Sequence, residues 1–137
     1  MGGETESPMK GILGIGGIFF KCDDTEKKQQ WYVEKMGLSA DQDGFIVFPW
    51  VRPGPPSKDL MTVWSPFPRD TEYFKKSTAS YMINYIVGDL DFVLADLREK
   101  GVEVDEETES GEFGRFGWAY DLEGVRFELW EPPKQKA

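Results

Sequence analysis

The sequence predicts an α+β fold made of paired βαβββ modules whose sheets curve round a shared cleft. Three observations predict it. An acidic helix cap recurs, Asp24 returning as Asp89 65 residues on. The glycine that closes each helix recurs too, Gly37 returning as Gly101 64 residues on. Each cap follows a β-type run, and each closing glycine precedes a meander of short β-type runs, which is the mark of an internal duplication. A unit of roughly 60 residues buries little alone, so the two halves are expected to share sheet surface.

Taken in order, residues 1–9 read as a flexible leader and 10–133 as a single domain. Module one spans 10–66, a linker 67–79 and module two 80–133. "ILGIGGIFFKC" (12–22) is a strand. Asp23, Asp24 and Thr25 then offer side-chain oxygens to the free amides of a new helix. "EKKQQWYVEKM" follows, with Trp31, Tyr32 and Met36 as its apolar side and Gly37 as its C-cap. "GFIVFPWV" (44–51) is a strand in which Pro49 marks an edge or bulge. "RPGPPSKD" (52–59) is a loop, and "LMTVWS" (60–65) is the returning strand. "PFPRDTEYFKKSTAS" (66–80) is polar and broken, and reads as the connection. "YMINYIV" (81–87) opens the second half. Leu90, Val93, Leu94 and Leu97 then sit at i, i+3, i+4 and i+7, one face of a helix. "GVEVDEE" (101–107) starts a strand and "SGEFG" is a turn. "RFGWAYD" (115–121) and "RFELWE" (126–131) form a hairpin around "DLEG".

The net charge of −9 argues against a binder of phosphate backbones, so no nucleic-acid partner is expected. No apolar run approaches the roughly 20 residues that cross a bilayer, so no membrane partner is expected either. The start carries no secretion signal and only the opening of a myristoylation pattern, which leaves a cytoplasmic location as the expectation. With no histidine in the chain, the usual neutral-pH proton shuttle and the commonest metal ligand are missing. Cys22 is the only cysteine, which excludes an internal disulfide. In an apolar strand it reads as a small buried hydrophobe.

Three stretches, "CDDTEKKQQWYVEKMGL", "VGDLDFVLADLREKGVEV" and "GRFGWAYDLEGVRFELWEP", resemble in order and spacing the vicinal oxygen chelate superfamily. That superfamily includes glyoxalase I, bleomycin-resistance proteins, extradiol dioxygenases and fosfomycin-resistance enzymes. The resemblance covers about residues 12–133 and implies the glyoxalase/bleomycin resistance/dioxygenase fold. In metal-dependent members four inward side chains, mostly His, Glu or Gln, hold one divalent ion. Counted from the caps and strand ends, those positions fall at Gly17, Thr62, Met82 and Glu128, and only Glu128 keeps a ligand type. A slip to Ile15, Phe19, Leu60 or Trp64 restores none. The expectation is therefore no metal and no cofactor.

Side chains alternate along a strand. If Glu128 faces the cleft, so do Arg126 and Trp130. The same parity places Phe19 and Lys21 with Gly17, Asn84 with Met82, and Trp64 with Thr62. The expected ligand-binding set is Phe19, Trp64, Met82, Asn84, Trp118, Arg126, Glu128 and Trp130, with Glu128 the catalytic candidate. Tyr85, Tyr120 and Lys21 are further possible proton carriers. An aromatic cup with one carboxylate suits a small aromatic or cationic molecule. The first reading is a metal-independent, bleomycin-resistance-like binder, which by that resemblance would form a homodimer. The alternatives are a glyoxalase-like lyase or isomerase using Glu128 as base or sole metal carboxylate, and a ligand-free interaction module whose tryptophans close the cup. Whether any reaction is catalysed stays open at this level, and the bland reading of each tryptophan is core filling.

Overall fold

The computed structural model describes residues 10–50 and 60–133. The expected leader (1–9) and the loop at 52–59 lie outside the described residues. In chain order the elements are β1 (Ile12–Cys22), α1 (Thr25–Met36), β2 (Ile46–Pro49), β3 (Met61–Pro68), β4 (Tyr81–Val87), α2 (Leu90–Glu99), β5 (Glu103–Val104), β6 (Glu109–Gly111), β7 (Gly114–Tyr120) and β8 (Arg126–Glu131). The strands form one curved, open sheet in the order β2-β3-β1-β4-β8-β7-β5, and β6 pairs with β7.

The pairing carries the duplication. β1 runs parallel to β3, as β4 runs parallel to β8. β2 is antiparallel to β3, as β7 is to β8. β1 and β4 meet antiparallel at the centre, and a twofold about that seam interchanges the two halves. The modules therefore contribute halves of one continuous sheet, where the sequence suggested a sheet for each.

Both helices start where their caps dictate. The Asp24 side chain accepts from Lys27 N at 3.0 Å, and Asp89 accepts from Phe92 N at 3.0 Å. Gly37 ends α1 at φ 78°, in the left-handed region that a residue with a Cβ rarely adopts. The helices differ in what they bury. On α2, Leu90, Val93 and Leu94 pack with Val87 and Leu129 under the second half of the sheet. α1 has no buried residue. Of its expected apolar side only Tyr32 lies on the sheet, its ring 4.8 Å from that of Trp64, while Trp31 and Met36 are exposed.

The expected linker between the modules also contributes to the core. β3 continues through Pro66 and Phe67 to Pro68. The chain then turns inward, with Lys75 at φ 53°. Phe74 becomes buried against Met82 and Trp118, and Tyr73 stacks on Phe67 at 5.6 Å. This aromatic pair plugs one end of the cup, and the charged residues around it mask the pair in the sequence.

The asymmetry has a measurable consequence. Leu94→Ala is expected to cost about 3 kcal/mol in urea unfolding, as core leucines do. Met36→Ala should stay within about 0.5 kcal/mol, as exposed positions do. Equal losses would contradict this division.

Candidate functional site

β8 alternates as its sequence requires. Phe127 and Leu129 meet the α2 core, which sends Arg126, Glu128 and Trp130 to the opposite, concave face. Glu128 is level with Asn84 on β4 and with Trp118 on β7. Asn84 Nδ2 donates to its Oε1 at 2.5 Å, and Trp118 Nε1 donates to its Oε2 at 2.8 Å. The Tyr73 hydroxyl, delivered by the intermodule connection, also donates to Oε2. Glu128 is 1% exposed. Burial pushes its pKa above the ordinary carboxylate value, against the pull of the hydrogen bonds from Tyr73, Asn84 and Trp118 and of the Arg126 charge. Burial, and after it the negative charge of Glu128, raises the Tyr73 pKa as well, so the phenol keeps its proton and stays a donor. Asn84 Oδ1 is buried and has no partner among the described residues.

In front of Glu128 and Asn84 opens a cleft of about 960 Å³. Phe19, Val47, Met61 and Val63 line it from module one, and Ile86, Phe116 and Trp130 from module two. The Phe116 and Trp130 rings lie stacked, 5.8 Å apart with planes 6° from parallel. Trp130 Nε1 donates to Phe113 O at 2.7 Å, which fixes the indole. Gly16 belongs to this surface. A Cβ there would fall 2.6 Å from Ile86 Cγ1 and 2.9 Å from Trp130 Cε3, so the backbone itself forms the wall. Asp41, Asp43, Glu112 and Glu131 complete the lining.

The structure sorts the expected residues into three groups. Phe19, Asn84, Glu128 and Trp130 line the cleft together. Met82, Trp118 and Arg126 stand behind Glu128. Met82 and Trp118 pack in the core with Phe74. Arg126 lies over the Trp118 ring at 4.8 Å, donates to Tyr73 O at 2.6 Å and pairs with Asp105 at 2.7 Å. Trp118 and Arg126 border a separate cavity of about 710 Å³ instead of the cleft, and Tyr120 borders it too. Trp64 lies on the opposite face of the sheet, packed at 4.9 Å on Phe20 and against Tyr32 of α1. Counting back from Ser65 misjudged its parity, because β3 ends three residues later, at Pro68. Thr62 shares the Trp64 face, taking a hydrogen bond from Trp50 Nε1 at 2.9 Å and giving one to Ile15 O. The register irregularity between Ile15 and Gly17 brings Gly16 into the cleft lining beside the expected Gly17, where a Cβ would meet the Phe19 and Asn84 side chains. Tyr85 packs on Phe127, whose side faces the α2 core, and Lys21 lies over Phe74. Sequence reasoning missed Tyr73. Its only signal was an aromatic pair inside a charged stretch.

A divalent ion of the kind the resemblance implies does not fit these donors. Beside Glu128 the cleft surface offers Gly16, Val63 and Asn84, and the carboxylate already accepts three hydrogen bonds. Among the described residues no three His, Cys, Asp or Glu side chains gather where they would share an ion. The cup is also open, and Trp64, Trp118 and Trp130 do not close it on one another, as a ligand-free module would need.

No protein-family model matches the chain, and no curated protein matches it. Solved structures do. A variant of the methylmalonyl-CoA epimerase of Streptomyces coelicolor, in complex with 2-nitronate-propionyl-CoA, is similar at 19% identity with TM-score 0.65, over 90% of this chain and 99% of that one. The methylmalonyl-CoA epimerase of Mycobacterium tuberculosis is similar at 20% identity with TM-score 0.59, over 93% and 92%. A methylmalonyl-CoA epimerase in complex with methylmalonyl-CoA and NH4+ is similar at 20% identity with TM-score 0.63, over 89% and 99%. The likeness establishes the vicinal-oxygen-chelate fold. Among the described residues no helix is long and apolar enough to cross a membrane.

The raised pKa has a sign that can be checked. Protonated Glu128 contributes its full share of stability below the ordinary value of 4.5, and that share is lost as pH rises through the higher folded value. Glu128→Gln cannot ionise, so its melting temperature should gain on the parent's as pH rises above the ordinary carboxylate value. A flat or reversed difference would contradict a carboxyl pushed up by burial.

Proposed function

We propose that the cleft performs a metal-independent proton transfer on a small organic molecule, in the manner of an isomerase, with Glu128 as the group that takes and returns the proton. One observation carries this reading: a single carboxylate, raised in pKa by burial and aimed by three neutral donors, forms the floor of an apolar cleft. A base works best with a pKa near the operating pH, and burial moves Glu128 in that direction. The names of the similar structures, methylmalonyl-CoA epimerases, support an isomerase-type reaction.

Phe19, Val63 and Trp130 would hold the apolar body of the substrate and exclude water. Glu128 would then remove a proton from a carbon beside a carbonyl, leaving the electron pair on the substrate as an enolate. The same carboxyl returns the proton to a neighbouring atom and is regenerated. Inversion at one carbon calls for acid groups on both faces of the substrate. Among the described acids lining the cleft, Glu128 alone is buried: Asp41, Asp43 and Glu112 are exposed, and Glu131 accepts from Leu90 N. A shift along one face of the substrate therefore suits it better than inversion.

Capture without chemistry is the second reading, as in bleomycin-resistance proteins, and with it goes the expected homodimer. It is favoured by the same three hydrogen bonds, which fix Glu128 as an acceptor that can anchor a guest.

Deuterium uptake separates the two. Small carbonyl compounds incubated with the protein in D2O should gain deuterium beside the carbonyl, and Glu128→Gln should slow this by about 10²–10⁴-fold, the usual worth of a positioned base. Compounds that quench tryptophan fluorescence yet exchange no faster than in buffer would leave only capture.

A further inference from the structure

We infer that the ligand of this cleft is an organic cation, an ammonium group on an apolar or aromatic body, and not an anionic acyl thioester. The inference rests on the cleft being the binding site, as proposed above, and adds the charge class of what enters it.

Charge is the first support. The cleft is lined by five carboxylates, Asp41, Asp43, Glu112, Glu128 and Glu131, and by no lysine or arginine among the described residues. Glu131 is partly occupied, accepting from Leu90 N at 2.8 Å with Arg115 at 4.0 Å. Asp41 is held in place by the amides of Asp43 and Phe45, each 2.9 Å from its Oδ1, which fixes the position of its charge. Carboxylates gathered in an apolar cleft concentrate cations there and repel anions. The chain's net charge of −9 adds to this.

Asn84 supplies an independent support. It lines the cleft, is 1% exposed, and its Oδ1 has no partner among the described residues. A buried carbonyl oxygen left unpaired costs free energy, and what it lacks is a donor. An ammonium N–H provides one, and Glu128 beside it takes another. The stacked Phe116 and Trp130 rings offer electron-rich faces that attract the same charge. The phosphates of an acyl thioester would meet like charge in this cleft.

Three probes with one body and different charge test the inference: phenylbutylammonium, phenylbutanol and phenylbutanoate, followed by tryptophan quenching. The ammonium should bind at least about tenfold tighter than the alcohol, and the carboxylate more weakly than either. Added salt should narrow the gap. Asp41→Asn, Asp43→Asn and Glu112→Gln together alter exposed residues outside the proposed proton-transfer machinery. They should bring the ammonium to within about threefold of the alcohol measured on the same variant. Phenylbutanoate binding as tightly as phenylbutylammonium would overturn the inference. So would an ammonium that fails to bind at about 1 mM, or a triple variant with its preference intact. Affinity is read without turnover. A preference for the cation with no deuterium exchange therefore counts against the proton-transfer reading alone, and exchange confined to anionic substrates counts against this inference alone.

Discussion

A carboxylate withdrawn from water must find donors or take up a proton, and in this fold that demand falls on Glu128. Its donors come from parts of the chain far apart in sequence. Tyr73 sits on the connection between modules, Asn84 on β4 and Trp118 on β7. Each reaches the carboxylate only when its own element is in register: β4 level with β8, β7 level with β8, and the connection folded inward. The buried acid thus acts as a check on assembly as well as a chemical group. Arg126 reinforces the check. It ties the Tyr73 carbonyl to Asp105 and lends the positive charge that partly offsets burial.

The two sides of Glu128 then take different characters. Behind it, Met82, Phe74 and Trp118 pack into one cluster. In front, Gly16 withholds a side chain, and the sheet curves away to leave the cleft. The cleft therefore meets the single acid at its front, with neutral hydrogen-bond donors steadying it from the flank and rear. Whatever binds is met by oriented oxygens and aromatic faces, and the charged residues among the described cleft lining are all acidic.

Much of this was legible in the sequence because it depends on local chemistry. Asp24 and Asp89 declare helix starts through their capping oxygens, and their spacing exposes the duplication. The alternation of β8 gave the facing of Glu128 and Trp130, since the turn at Asp121–Gly124 sets where that strand begins. What failed depends on events elsewhere in the chain. A one-residue irregularity in β1 added Gly16 to the cleft surface, and no local signal marks such a place among that strand's three glycines. A strand running through Pro66 carried Trp64 to the wrong face of a simple count. Tyr73 was hidden because its partner, Glu128, lies 55 residues away, and its polar, broken surroundings read as a linker. Period-two reasoning holds within a strand whose ends are fixed and loses its footing when an end moves by an odd number of residues.

The thin cover that α1 gives the first half of the sheet has a consequence for how the cup chooses its guest. Elements with few buried contacts open at lower free energy than those anchored in a core. The half bearing Glu128 is backed by α2, while the half bearing Phe19, Met61 and Val63 rests under a helix that buries none of its own residues. By that rule the jaw under α1 opens at lower free energy than the one backed by α2. Guests of different girth can then be accommodated by the compliant jaw, and discrimination falls to the polar atoms of the rigid one.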